Sequence, residues 1–140
     1  MFLLDTDFCI DWLRRKDYAR KALANVIPTD VAVSAVTVGE LLMGAYCAQV
    51  PDREVEKVDA FLKPIQVLDY GKPEASRYAG ISARLRQQGQ LIGVSDAMIA
   101  ATAEVHRFTV ITKNLKHFEK VKTLKVVNWE VKPPKGASPR

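Results

Sequence analysis

The sequence predicts an α/β domain with a mainly parallel β-sheet flanked by α-helices. Short, β-branched apolar runs alternate with longer segments that repeat apolar residues at helical spacing, which is the pattern of strands joined by crossover helices. Most of the strand-like runs are almost continuously apolar, as expected for strands covered on both faces. A chain of 140 residues is long enough for one such domain with a buried core.

The first half of the chain opens with a predicted buried strand, MFLLD, which ends at an acid. One or two helices before Pro28 are predicted by the helical spacing in FCIDWLRRKDYARKALANVI. An interior parallel strand is predicted at DVAVSAV. Two helices follow, TVGELLMGAYCAQV ending at Pro51 and DREVEKVDAFLK ending at Pro64.

The second half continues the alternation with a third predicted strand, IQVLDY. A helix is predicted at PEASRYAGISARLRQQG, which starts with proline and ends with glycine. LIGV, a strand or a loop, leads into the alanine-rich helix SDAMIAATAEVH, whose apolar residues on most sides predict burial. A strand FTVIT, a short helix NLKHFEKV and a final strand KVVNW complete the order. We expect one domain over residues 1–132 and a mobile basic tail over residues 133–140.

The charge distribution and the cysteine content limit the classes of protein to which this chain can belong. Residues 107–140 carry nine Lys or Arg and two Glu, so a basic end follows a near-neutral body and suggests a polyanionic partner such as nucleic acid. The two cysteines provide neither a disulfide framework nor a paired zinc-ligand spacing. No stretch approaches the ~20 apolar residues that span a bilayer, and the N-terminal run has no basic flank. These features predict a soluble cytoplasmic protein.

Acidic and polar side chains follow several of the predicted strands or open the following helices. They are Asp5, Glu40, Asp96, Thr112 and Asn114. Ligands of open α/β sheets bind at the carboxyl ends of the strands, so we expect these side chains to face one edge. Two carboxylates ~4 Å apart repel by ~4 kcal/mol at an effective dielectric of ~20, so a cluster either raises a pKa or binds a cation. Oxygen ligands without convergent histidines or thiols favour Mg²⁺ or Mn²⁺, which suits phosphate chemistry.

Glu40 has two interpretations. Thr37-Val-Gly-Glu40 fits the Ser/Thr-x-x-Glu capping box, in which the glutamate closes the helix start. With Asp5 and Asp96 expected beside it, we favour a role in the active site. The two roles are compatible, because an ionised carboxylate has about four acceptor sites.

The other polar positions also have structural interpretations. Ser95 can cap the alanine-rich helix, with Asp96 stabilised by the helix dipole. Asn114 can be a plain N-cap for the helix that follows it. His117 has no second histidine at ligand spacing, so we expect it to pack or to face water.

Four segments, in order, resemble PIN-domain ribonucleases, and among these the VapC toxins of type II toxin–antitoxin modules. The segments are LLDTDFCIDWL, VSAVTVGELLMGA, LIGVSDAMIAATAEVHRFTVITKNLKHFEKV and VVNW. The resemblance implies a PIN fold with an acidic pocket at the carboxyl edge of the strands. It implies Mg²⁺-dependent hydrolysis of RNA, with Mn²⁺ able to substitute, that leaves 5′-phosphate and 3′-hydroxyl ends. It also implies a homodimer that inhibits translation until a cognate VapB-type antitoxin neutralises it, with tRNA or ribosomal RNA as substrate.

Residue by residue, the resemblance implies four catalytic positions, of which the first three are metal ligands: Asp5, Glu40, Asp96 and Asn114. Thr6 and Thr112 would support them. Asn114 stands where many PIN domains have an acid, and Asp7 stands where asparagine is common, so the sequence leaves open whether Asp7 joins the pocket. On charge alone, we expect RNA contacts from Arg84, Arg86, Lys113 and Lys116.

Two other functions fit parts of the sequence. LLDTDF also resembles the Asp-x-Asp strand end of haloacid-dehalogenase-type phosphatases. That fold needs Thr or Val where this chain has Cys9, and it usually needs a later acidic pair, which is missing from the sequence. A catalytically inactive, RNA-binding PIN domain is the non-enzymatic alternative, and a magnesium titration of RNA cleavage separates it from a nuclease.

Overall fold

The computed structural model describes residues 1–135 as a five-stranded parallel sheet with helices on both faces. The strands are β1 (Phe2–Leu4), β2 (Val31–Ser34), β3 (Gln66–Leu68), β4 (Thr109–Ile111) and β5 (Val126–Val127). Their order is β3-β2-β1-β4-β5, and every neighbouring pair is parallel. The predicted parallel α/β architecture is therefore confirmed. Of the tail predicted at 133–140, residues 136–140 lie outside the described part.

Seven α-helices and one 3₁₀ turn connect the strands within residues 1–135. They are α1 (Thr6–Leu13), α2 (Asp17–Ala24), the 3₁₀ turn (Pro28–Asp30), α3 (Ala35–Tyr46), α4 (Pro51–Leu62), α5 (Lys72–Gln87), α6 (Val94–His106) and α7 (Leu115–Phe118). No helix in this described part is both long enough and apolar enough to cross a bilayer.

The core consists of two apolar layers, one on each face of the sheet. Successive strand residues alternate between them: Leu3 packs in the layer with α5, α6 and α7, whereas Leu4 packs with α1 to α4. Val110 and Ile111 of β4 divide in the same way. This two-sided burial explains why the strands read as continuous apolar runs. It also explains the alanine-rich α6, which lies against the sheet with Ile99 and the three following residues fully buried.

The predicted end of β2 was wrong for a local reason, and the alternative left open at LIGV is decided in favour of a loop. β2 ends at Ser34 rather than two residues later, because the Ser34 hydroxyl accepts a 3.1 Å hydrogen bond from the Val36 N–H and caps α3. β-Branched Val36 is therefore helical. LIGV forms no strand; its first residue, Leu91, is 63% exposed, Gly93 rather than Ser95 is the N-cap of α6, and Val94 is the first residue of that helix.

The strand order places a topological switch point between β1 and β4. From β1 the chain builds outward through β2 and β3, and then returns to the other side of β1 to add β4 and β5. Parallel sheets bind ligands at such points, outside the carboxyl ends of the strands. Asp5 follows β1 and Thr112 follows β4 at this position, and the Asp5 N–H donates a 3.0 Å hydrogen bond to the Ile111 carbonyl.

Candidate active site

Asp5 is a buried carboxylate at the carboxyl end of the central strand. Its side chain is the N-cap of α1, accepting a 2.8 Å hydrogen bond from the Phe8 N–H, and it also accepts a hydrogen bond from the Thr112 hydroxyl. Only 2% of Asp5 is exposed. Burial raises the pKa of Asp5 to about 7, against the lowering effect of these hydrogen bonds, and the Asp7 and Asp96 carboxylates add to the rise. The fold thus holds Asp5 in a buried environment that disfavours the ionised form of its carboxyl group.

Asp7 faces the same cluster of acids. Partial burial raises its pKa, and the carboxylates of Asp96, Asp11 and Glu40 raise it further, whereas His117 lowers it. The remaining surface of Asp7 faces solvent in the first turn of α1, next to the buried Asp5. The sequence left open whether Asp7 joins the acidic residues at this edge of the sheet. Its electrostatic interactions with Asp96 and Glu40 mean that it adds negative charge there.

Glu40 contacts Thr6 and does not cap its helix. The Thr6 hydroxyl donates a 2.7 Å hydrogen bond to Glu40 Oε1 and lies 3.1 Å from the Thr37 hydroxyl. The capping-box interpretation of Thr37 and Glu40, which we did not favour, is contradicted, and the expected first-turn position of Glu40 is wrong: α3 begins at Ala35 under a Ser34 cap, so Glu40 lies near mid-helix. From there its half-buried carboxylate faces the first turn of α1.

Asp96 lies in the first turn of α6 and contacts His117. The two side chains meet at 3.2 Å between Asp96 Oδ2 and His117 Nδ1, and Asn114 Nδ2 lies 2.9 Å from the same ring nitrogen. The Asn114 side chain makes no cap hydrogen bond, although its backbone N–H donates to the Thr112 hydroxyl at 2.8 Å. The side chains of Asn114 and Asp96 therefore both lie against Nδ1 of His117.

His117 is the residue that the sequence reasoning missed. It was expected to pack or to face water, because no partner histidine lies at ligand spacing. Its partner is an acid 21 positions earlier, and only the packing of α7 beside the start of α6 brings them together. The available signal was the spacing of Asn114 and His117, which are three residues apart and therefore neighbours on one helical turn.

The cluster has the donor chemistry of a hard divalent cation. Asp5, Asp7, Glu40 and Asp96 supply carboxylate oxygens, and their mutual repulsion is the condition that a cation relieves. Within residues 1–135, no three His, Cys, Asp or Glu side chains are close enough together to form a ligand set. Mg²⁺ does not require one, because it keeps several waters and binds through one or two carboxylates.

The basic residues expected to contact RNA lie in different environments. Lys113 forms ion pairs with Asp11 at 3.6 Å and Glu130 at 3.4 Å, beside this cluster. Arg84 lines a cavity of about 650 Å³ between α5 and the last turn of α6, away from the acids. Arg86 and Lys116 are exposed on α5 and α7.

Comparisons with known proteins agree with this fold and this order of elements. A family model described as PIN domain matches residues 2–124. The chain is 34% identical over 128 residues to the "tRNA(fMet)-specific endonuclease VapC" of Shigella flexneri, covering 91% of this chain and 97% of that protein. It is 33% identical over 126 residues to "Toxin FitB" of Neisseria gonorrhoeae, covering 84% and 91%. The DNA-bound VapBC structure from Salmonella typhimurium matches with a TM-score of 0.86 at 31% identity, covering 91% of this chain and 97% of the matched one. The chain therefore belongs to the PIN domain family.

Proposed function

We propose that this protein is the ribonuclease toxin of a type II toxin–antitoxin module. The observation that carries the proposal is the buried Asp5, whose pKa is raised to about 7 beside further acids at the switch point of the sheet. Perturbed acids in such a position are typical of catalytic sites. The names of the VapC and FitB relatives support nuclease and toxin activity.

Asp5 and Asp96 are the residues we propose to hold Mg²⁺ or Mn²⁺, with Glu40 completing the site through a water. Bound there, the cation supplies charge neutralisation, a water of lowered pKa and stabilisation of the leaving oxygen in phosphodiester hydrolysis. The products would carry 5′-phosphate and 3′-hydroxyl ends.

The chain's own residues orient these carboxylates. Thr6 donates to Glu40 and directs it toward the start of α1, where it can orient the attacking water. The Phe8 N–H and Thr112 fix the rotamer of Asp5. His117 fixes Asp96 when Nδ1 carries the proton and donates it to Asp96 Oδ2. Partners of this kind typically change metal affinity or activity by ~10–100-fold when they are removed.

The substrate we propose is a tRNA, because relatives at 34% and 31% identity are named tRNA(fMet)-specific endonucleases. Cleavage of such an RNA in the cytoplasm would inhibit translation. VapBC complexes among the structural matches support a cognate VapB-type antitoxin as partner. We also propose a homodimer, as the family resemblance implies.

The proposal is tested by incubating purified protein with initiator tRNA while Mg²⁺ or Mn²⁺ is titrated from a chelated state. We expect cleavage only with the cation and 5′-phosphate ends on the downstream product. RNA binding without cleavage at any cation concentration would instead favour the inactive PIN domain. The phosphatase alternative finds no support in a chain that belongs to the PIN domain family.

A further inference from the structure

A basic groove lies on the side of the molecule formed by α5 and the end of α6. It is a cavity of about 650 Å³ between α5, the last turn of α6 and residues 120–123. Its floor is apolar and buried, with Ile81, Leu85 and Val121 at most 8% exposed. Its rim carries five cationic side chains: Arg77, Arg84, Arg107, Lys120 and Lys122. Of the four residues expected above to contact RNA, one, Arg84, lines this groove.

The cations of the basic groove lack acidic partners. Within residues 1–135, none of the five forms an ion pair with a carboxylate, and Glu104 is the one acid among the lining residues. Lys113, by contrast, is paired with two acids near the active site. Five positive charges against one carboxylate around a concave surface create a net positive field that attracts a polyanion.

Glu104 indicates which kind of polyanion fits. Its Oε2 accepts a 2.7 Å hydrogen bond from the Thr123 hydroxyl. Its Oε1 is buried and, among the side-chain oxygens and nitrogens of residues 1–135, is the one buried atom without a hydrogen-bond partner. Oε1 lies inside the protein, but Oε2 keeps acceptor capacity beyond the Thr123 bond at the groove surface, so a ligand of this groove can bring a donor as well as negative charge. Phosphates alternate with 2′-hydroxyl donors along an RNA backbone, whereas DNA lacks those donors.

The basic groove and the acid cluster occupy opposite ends of α6. Asp96 lies in its first turn and Glu104 in its last, eight residues later, which corresponds to ~12 Å along the axis at ~1.5 Å per residue. A stacked strand advances ~3.4 Å per nucleotide, so this distance corresponds to about four nucleotides. One folded RNA can therefore reach both places.

We infer that the basic groove binds the sugar–phosphate backbone of the RNA substrate about four nucleotides away from the cleavage site, with Glu104 accepting a hydrogen bond from a ribose 2′-hydroxyl. This inference rests on the proposed ribonuclease function and adds a second point of contact. The contact would favour RNAs folded so that their backbone passes both sites.

The test compares two double variants of the full-length protein that lose the same charge. Arg77→Gln with Lys122→Gln removes two exposed cations of the basic groove. Arg53→Gln with Lys63→Gln removes two exposed cations of the α4 region on the other face of the sheet. Affinity for an initiator tRNA transcript is measured by fluorescence anisotropy at several salt concentrations, and cleavage kinetics are measured with Mg²⁺. Thermal melts establish that each variant is folded.

We expect the groove pair to lower tRNA affinity at least tenfold at ~0.1 M salt and to reduce the slope of log K against log salt by about 1.5. The cleavage deficit should appear in KM. The α4 pair should change affinity less than about threefold. Equal behaviour of the two pairs overturns the inference and leaves the nuclease proposal intact. Groove-dependent binding without cleavage by the wild type overturns the nuclease proposal alone.

Glu104→Gln tests the hydroxyl contact separately. This variant keeps the shape of the side chain and removes a negative charge, so charge alone predicts tighter binding of RNA and DNA alike. A lost charge-assisted hydrogen bond to a 2′-hydroxyl predicts instead that the preference for an RNA hairpin over a DNA hairpin of the same sequence falls at least threefold. An unchanged preference contradicts the Glu104 contact. Displacement of tRNA by micromolar 5′-AMP would identify a mononucleotide site and overturn the backbone assignment.

Discussion

The hydroxyl of Thr6 donates a 2.7 Å hydrogen bond to the carboxylate of Glu40 and joins the first turn of α1 to the middle of α3. The two residues are 34 positions apart, and the parallel pairing of β1 with β2 brings their helices side by side. Glu40 is therefore oriented by a tertiary contact. A local cap would have turned the same carboxylate toward its own backbone.

Thr6→Val should lower kcat of RNA cleavage by ~10–100-fold, because Glu40 loses the donor that orients it. Valine keeps the branched shape of threonine, so the far-UV spectrum should remain that of the wild type. Thr6→Ser is the matched control, since it retains the hydroxyl and should keep most of the activity. Equal activity of the valine and serine variants would refute an orienting role for the hydroxyl.

Ser34 rather than Glu40 should stabilise the start of α3. Ser34→Ala removes the N-cap acceptor of the Val36 N–H and should lower the free energy of unfolding by about 1 kcal/mol in a urea titration. Glu40→Gln keeps an acceptor for Thr6 and should change stability by less than about 0.5 kcal/mol, while cleavage falls at least tenfold. A larger stability loss for Glu40→Gln than for Ser34→Ala would restore the capping role.

The order of strands and helices could be predicted from the sequence because the strands are buried on both faces of the sheet. Each strand is therefore a short, nearly continuous apolar segment. The start of α3 was misread because Ser34 and Thr37 are both good caps, and the choice depends on where β2 ends its pairing with β3 at Leu68. LIGV has strand-like composition but no neighbouring strand in the described fold, so β-propensity alone misleads there.

The clustering of the acids was predictable because parallel strands deliver their carboxyl ends to one edge. The contact of His117 with Asp96 was not, since it depends on how a four-residue helix packs against α6. The basic groove was equally hidden: Arg77 and Lys122 are 45 positions apart, and only the packed helices bring them to one cavity. Contacts between residues that are far apart in the chain produce no periodic pattern in the sequence from which they could be predicted.

Asp5→Asn should stabilise the metal-free protein above neutral pH. The folded-state pKa of Asp5, about 7, lies above its ordinary value of 3.8, so the wild type loses stability as pH rises from about 4 to about 7. Asparagine carries no charge and can still accept from the Phe8 N–H. With EDTA present, its melting temperature should exceed that of the wild type by at least ~5 °C at pH 8, and the difference should shrink toward pH 5. A pH-independent difference would contradict the burial argument.

His117→Ala should reduce cleavage about tenfold at low Mg²⁺, because Asp96 loses the partner that fixes its rotamer. Added Mg²⁺ should recover part of the rate, since a less ordered carboxylate still binds at a higher cation concentration. Glu119→Ala, a neighbouring exposed change, serves as the control for altered surface charge and should not show this dependence on Mg²⁺. A loss that no cation concentration reduces would assign His117 a role other than positioning Asp96.

The central claim is that Asp5 belongs to a metal-dependent site that cuts RNA. The most direct measurement is sequencing of RNA 5′-phosphate ends after brief induction of the wild type and of Asp5→Asn, with both proteins present in equal folded amounts. We predict new 5′-phosphate ends concentrated at one position of a tRNA in the wild type and their absence in the variant. The same ends at the same abundance in both would contradict the assignment of Asp5 to the active site.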